Sequence, residues 1–166
     1  MARDHWDTEQ HIKASGMAYT FLRDNIYADL FPYLAGDDGV LRGPAGHGRV
    51  AGIAQDDIAD VAALVLQRPH EHAGATYDLT GPQALTLGDV ADTLTRVTGR
   101  TITYEPETVE EAYASRRAFS DSQWQLDAWV STYTAIAAGE LDGVTTNVAD
   151  LTGHPATSLE DLLRRR

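Results

Sequence analysis

The sequence predicts an α/β fold built on a small parallel sheet, and three observations carry that prediction. Strand-like and helix-like segments alternate through the middle of the chain, an order that pairs strands in parallel through right-handed crossovers. Residues 17–22 (Met-Ala-Tyr-Thr-Phe-Leu) run almost continuously apolar, the pattern of a strand covered on both faces. Ile58, Val61, Ala62, Val65 and Leu66, and again Leu87, Val90, Ala91, Leu94 and Val97, recur at the helical period.

Taken in order, residues 4–15 are polar with Trp6, Ile12 and Ala14 as apolar positions and Gly16 behind them, which predicts a short helix with a glycine stop. The strand over 17–22 follows and is ended by Arg23, Asp24 and Asn25. Residues 26–34 are aromatic-rich and partly helical, with Pro32 limiting their extent. Glycines 36, 39, 43, 46 and 48 and Pro44 mark a surface excursion inside one domain. Residues 49–54 read as a short strand, and Asp56 and Asp57 stand where the next helix begins, suited to its dipole. Residues 75–79 form a strand and Gly81-Pro82 a turn. Thr86 with Asp89 opens a second helix that stops before Gly99. Residues 101–104 alternate in polarity as a half-exposed strand, and Thr108/Glu111, Ser120/Gln123 and Ser158/Asp161 open helices over 109–117, 121–138 and 159–165. Trp124, Trp129 and Tyr133 on the longest helix read as core or as an interface stripe. Two or three strands make a thin sheet, so the strand over 17–22 has few neighbours to lie beside it.

The chain has 166 residues, 13 Lys and Arg against 25 Asp and Glu, and no cysteine. That length fits a single domain over 1–166 that buries a core without cross-links. Disulfides and thiolate metal sites are excluded. The net charge of −12 repels phosphate backbones, so nucleic acid is not expected as a partner. Arg164–Arg166 is the one basic cluster in the sequence and is too short to change that. There is no apolar run of the roughly 20 residues that span a bilayer, so no membrane association is expected and the chain reads as soluble and cytoplasmic.

Several segments carry a family resemblance. His5-Trp6-Asp7-Thr8-Glu9-Gln10-His11-Ile12-Lys13-Ala14-Ser15-Gly16 followed by Met17-Ala18-Tyr19-Thr20-Phe21-Leu22-Arg23 resembles a helix ending in Glu-x-x-Ile-x-x-Ser-Gly and a strand reading Tyr-Thr-Phe-Leu-Arg. Residues 55–62, 77–82 with Leu85-Thr86-Leu87, and Thr152-Gly153-His154-Pro155 continue the likeness in the same order. Together they resemble the NmrA-like branch of the atypical short-chain dehydrogenase/reductases, over the C-terminal half of such proteins. The resemblance implies a partial Rossmann-like parallel sheet with a helical, substrate-side C-terminal portion, NAD(P)H as cofactor, and hydride transfer to a quinone or similar small carbonyl acceptor. It also implies that the N-terminal glycine-rich dinucleotide-binding half is absent: no G-x-G-x-x-G follows a strand, and Gly-Pro-Ala-Gly-His-Gly holds a proline with no helix directly after it. Alone, the chain is expected to bind dinucleotide poorly and to be inactive, needing a separate dinucleotide-binding partner. Two alternatives stand beside this reading, a non-catalytic redox-sensing or regulatory NmrA-like protein and an orphan half-domain that self-associates as a homo-oligomer.

Three residues are candidates for chemistry. The superfamily's Tyr-x-x-x-Lys pair is not intact: were His5 in the lysine's place, the tyrosine would fall at Met1. His5 could still donate a proton, since imidazole titrates near neutrality, or be a plain exposed histidine. Asn25 and Tyr27 lie just beyond the carboxyl end of the predicted strand, where open α/β sheets place ligands. There Asn25 could bond a nicotinamide carboxamide and Tyr27 stack on a quinone-like substrate, or they could be a strand terminator and a core residue. Arg23 reads as a structural partner of a nearby carboxylate or carbonyl. His70 and His72 are two apart in a loop, so no metal site is predicted, and Ser15 and Ser131 lack a G-x-S-x-G elbow.

Overall fold

The computed structural model describes residues 2–165; Met1, the position of the absent tyrosine, and Arg166 lie outside the described residues. The chain runs α1 (Ala2–Ala14), β1 (Phe21–Asp24), a single 3-10 turn (Ala28–Leu30), α2 (Phe31–Leu34), β2 (Val40–Gly43), β3 (Arg49–Val50), α3 (Gln55–Gln67), β4 (Thr76–Leu79), β5 (Leu85–Thr86), α4 (Leu87–Thr98), β6 (Thr103–Pro106), α5 (Val109–Arg116), α6 (Gln123–Ala137), α7 (Asn147–Thr152) and α8 (Leu159–Arg164). This is the expected α/β class. Two parallel ribbons, β1 with β4 and β2 with β6, are accompanied by a short antiparallel pair of β3 with β5.

The larger core gathers Phe31, Leu41, Val50, Leu87, Leu94 and Ile136 under α4, α6 and α8, and a smaller one gathers Ile53, Val61, Val65, Leu79 and Val148 between α3, α7 and the β1–β4 ribbon. The local start signals act as their spacing predicts. Thr86 with Asp89 and Thr108 with Glu111 both close reciprocal capping boxes, and Gly99 ends α4 at φ 73°, a left-handed conformation that glycine takes without strain.

Four expectations are corrected. The first strand is displaced toward the carboxyl side, to residues 21–24, because Phe21 and not Met17 is the first residue to pair with β4; Met17 stays exposed. The glycine excursion contains β2, whose Leu41 is fully buried and faces Tyr104 across the ribbon. Pro32 lies in the first turn of α2, where its missing N–H costs no helical bond, so it starts the helix and does not end it. Finally, Ser120 does not cap α6: its hydroxyl donates to Gln125 Oε1, and Ser122 holds the N-cap position with no side-chain bond.

Candidate functional site

The carboxyl end of the β1–β4 ribbon is built by a short step of the chain. Asn25 N–H donates to Leu79 O at 3.0 Å, the last rung, and the chain then crosses to Ile53, whose N–H donates to Ile26 O at 2.9 Å while its carbonyl accepts from Ala28 N–H at 2.8 Å. Asp24, Asn25 and Tyr27 therefore stand at the edge where parallel sheets leave room for ligands. The Asn25 side chain is engaged within the chain. Its Nδ2 donates to Leu141 O at 3.1 Å and its Oδ1 accepts from Ile26 N–H at 2.7 Å, leaving one amide hydrogen uncommitted. The Tyr27 ring is 36% exposed.

Asp24 is a neighbour that sequence reasoning treated only as the end of the strand. Desolvation pushes its carboxyl above the usual range, and a hydrogen bond from the Tyr27 hydroxyl pulls in the opposite direction. The signal of Asp24 in the sequence was its position one residue before Asn25, a position that says nothing about desolvation.

Helix α1 carries His5, which is exposed. The Arg23 guanidinium forks onto Glu9, with Nε to Oε1 and Nη2 to Oε2 both at 2.7 Å, and also lies 3.7 Å from Asp78 Oδ1. One turn later Lys13 Nζ sits 5.5 Å from the Phe21 ring centre. Glu9 meets the carboxyl-side residue Arg23 and Lys13 meets the amino-side residue Phe21, so α1 runs antiparallel to β1. His5 and Trp6 in its first turns are exposed. The Arg23 hydrogen bonds hold the Glu9 carboxyl below its ordinary range. Arg23 is thus the structural partner the sequence suggested.

A second polar cluster lies at the carboxyl end of the β2–β6 ribbon. Arg116 Nη1 contacts Glu107 Oε2 at 2.8 Å, its Nη2 donates to Arg42 O at 3.0 Å, and its guanidinium stands 4.9 Å from the centre of the Tyr133 ring. The Tyr104 hydroxyl donates to Gly43 O at 2.8 Å. Burial raises the pKa of both phenols, so they remain hydrogen-bond donors at neutral pH. Tyr133 belongs to this cluster and the core beside it, while Trp124 on the same helix is exposed.

Asp56 and Asp57 were read together as a helix start. Both lie in the first turn of α3, and Asp57 is in addition buried and accepts from Thr157 N–H at 2.6 Å and Thr157 Oγ1 at 2.8 Å, tying α3 to the segment before α8. The first N–H of α3, on Gln55, donates to Asp29 Oδ2 at 2.9 Å. In the loop before β4, His72 is buried with Nδ1 2.9 Å from the Tyr77 hydroxyl.

The glycines of residues 36–48 do not fit a dinucleotide pyrophosphate. A Cβ on Gly39 would collide with Thr101 O, one on Gly43 with the Tyr133 ring and one on Gly48 with Ile136 O. At these three the space is filled by the chain's own atoms, Gly46 is open, and none of them precedes a helix in the way a phosphate-binding turn requires. Among the described residues, no helix is long and apolar enough to cross a membrane.

No family profile matches the chain. It is 30% identical over 161 residues to the NAD(P)H azoreductase of Xenophilus azovorans, covering 95% of this chain and 56% of that one. It is also 30% identical over 166 residues to quinone oxidoreductase 2 of Escherichia coli K12, covering 97% of this chain and 57% of the relative. The crystal structure of the NADPH-dependent quinone oxidoreductase QOR2 from Escherichia coli in complex with NADPH superposes with a TM-score of 0.90 at 29% identity, covering 99% of this chain and 59% of that one. The Citrobacter triphenylmethane reductase complexed with NADP(H) superposes with a TM-score of 0.85 at 27% identity, covering 99% and 58%. This is the fold of NAD(P)H-dependent reductases. The resemblance seen in the motifs holds for these quinone and azo reductase relatives, and the chain spans a little over half of their length.

Proposed function

We propose that this chain supplies the acceptor side of an NAD(P)H-dependent oxidoreductase that reduces a quinone or a similar small, flat carbonyl acceptor. The observation that supports the reading most directly is the superposition of 99% of the chain on an NADPH-dependent quinone reductase. In this reading the chain corresponds to the C-terminal, substrate-side half of such an enzyme, and the grip on the dinucleotide pyrophosphate comes from a separate α/β segment. NAD(P)H, when bound, would supply the hydride.

The chain's own residues prepare the acceptor. The Tyr27 ring offers a flat wall against which a quinone-like ring stacks, and the uncommitted Asn25 amide hydrogen faces a carbonyl or carboxamide at the same edge. His5, held at that edge by the Glu9–Arg23 fork, donates a proton from its imidazolium to the reduced oxygen.

Titration of NADPH into the purified chain tests the division of labour. The reading expects no saturation in the low micromolar range for the chain alone, and quinone reduction once a dinucleotide-binding segment is supplied. Low-micromolar binding by the chain itself would overturn it. In the assembled enzyme His5→Ala is expected to lower kcat about a hundredfold, whereas Tyr27→Ala raises KM.

A further inference from the structure

The segment between α6 and α7 crosses the carboxyl end of the β1–β4 ribbon and is tied down on both sides. Gly139, at φ 75°, turns the chain out of α6 in a conformation that glycine takes without strain. Leu141 O then accepts from Asn25 Nδ2 at 3.1 Å and from Ala51 N–H at 2.9 Å, and the Leu141 side chain packs against the larger core. Further on, Thr145 N–H donates to Thr80 Oγ1 at 2.9 Å and Thr145 Oγ1 to Asp78 O at 2.6 Å. Asn25 follows the last paired residue of β1, and Thr80 follows that of β4. Both anchors therefore stand at the ends of the parallel strands, on the edge that holds Tyr27.

The span between the anchors is different in kind. Asp142, Gly143 and Val144 are exposed, and among the described residues no hydrogen bond holds any of them. A methyl group on Gly143 would meet nothing, and Val144 offers an apolar side chain that is 49% exposed. Thr80, by contrast, is buried and Asn25 half-buried. The strap thus has ends fixed by polar side chains of the sheet and a middle that can shift without breaking any bond of the fold. Segments with so little to hold them open at small cost in free energy, and a rigid scaffold beneath such a loop is how proteins place residues against a ligand.

Resting on the functional reading above, we infer that residues 142–144 are a movable wall of the acceptor site and that Asn25 is the residue that positions it. The Asn25 side chain has the groups for this: Oδ1 accepts from Ile26 N–H and fixes the amide plane, and one Nδ2 hydrogen then holds Leu141 O at the start of the strap. In this arrangement a flat acceptor resting on the Tyr27 ring is met by Val144, and the span yields to rings of different size because only its ends are bonded.

The test uses the full chain and 2-methyl-1,4-naphthoquinone as the probe, a flat neutral quinone that finds no cysteine here to add to it. In titrations followed by amide NMR, the Asp142, Gly143 and Val144 signals are expected to shift together with that of Tyr27. Thr145→Val removes the hydroxyl bond to Asp78 O and leaves Asn25 and Tyr27 untouched. It should weaken probe binding about fivefold or more, and in the assembled enzyme raise the acceptor KM by a similar factor with kcat within about twofold. Asn25→Asp keeps the acceptor for Ile26 N–H but sets an oxygen against Leu141 O. In the probe-free chain the Ala51 amide, which shares that carbonyl, should then exchange about tenfold faster, while Phe21, bonded to Ala75 O, is unchanged. Should Asn25→Asp not fold, the titration and Thr145→Val decide. Shifts at Tyr27 with residues 142–144 silent, unaltered probe binding by Thr145→Val, or unaltered Ala51 exchange in Asn25→Asp would each overturn the strap and leave the functional reading standing. Shifts over 142–144 with Tyr27 silent would refute the placement of the acceptor on Tyr27 and leave the strap as a binding wall, and no shift in either region would overturn both.

Discussion

In the β2–β6 ribbon Leu41 stands opposite Tyr104 with none of its surface exposed, whereas in the β1–β4 ribbon Leu22 stands opposite Tyr77 and is only partly buried. The two ribbons are equally long and both parallel. Their surroundings differ: α4 and α5 pack on the first and its carboxyl end is plugged by Arg116, Glu107 and Tyr133, while the second keeps one bare edge beside a thinly anchored helix. The difference shows which ribbon is sealed by the chain's own side chains and which keeps an unpaired edge among the described residues.

Substitutions at matched positions sharpen that contrast. Leu41→Ala opens a cavity in a sealed core and is expected to cost about 3 kcal/mol in chemical denaturation. Asp57→Asn leaves the buried Thr157 N–H and hydroxyl with one acceptor too few, costing about 2 kcal/mol by the same measurement. Leu22→Ala, in the half-covered ribbon, is expected to cost about 1 kcal/mol, and a loss equal to that of Leu41→Ala would erase the distinction.

The smallest effect is the pH dependence of the α1 anchor. Because the Glu9 carboxyl titrates below its ordinary value in the folded chain, its stabilisation is complete above the ordinary glutamate range and is lost as pH falls through the depressed value. Thermal melts of the native chain and of Glu9→Gln should differ at pH 7 and converge as the pH falls below the depressed glutamate value; a gap that persists in strong acid would break the assignment.

Much of this architecture was legible because its signals are local. The Thr86/Asp89 and Thr108/Glu111 boxes and the apolar stripe of α3 need only residues within a turn or two. What the sequence hid depends on distant partners. Strand β2 lies among glycines and is fixed by β6, about sixty residues later, and the second role of Asp57, holding Thr157 from the first turn of α3, is visible only in the fold. The apolar run over 17–22 announces a strand but not its register, since pairing begins at Phe21 only where Ala75 is present to accept its N–H. Helix α7 spans six residues and offers too few turns for a period to be read. At the candidate site, Asn25 and Tyr27 followed from the strand-end rule, whereas the upward shift of the Asp24 carboxyl beside them required the fold.

Residue-resolved amide exchange on the purified chain alone bears most directly on the open edge. Fast exchange at Leu22 and Asp24 alternating with slow exchange at Arg23 and Asn25 is the pattern that a strand paired on one side must give. Equal protection at all four amides would contradict it, because the outer row would then already be hydrogen-bonded.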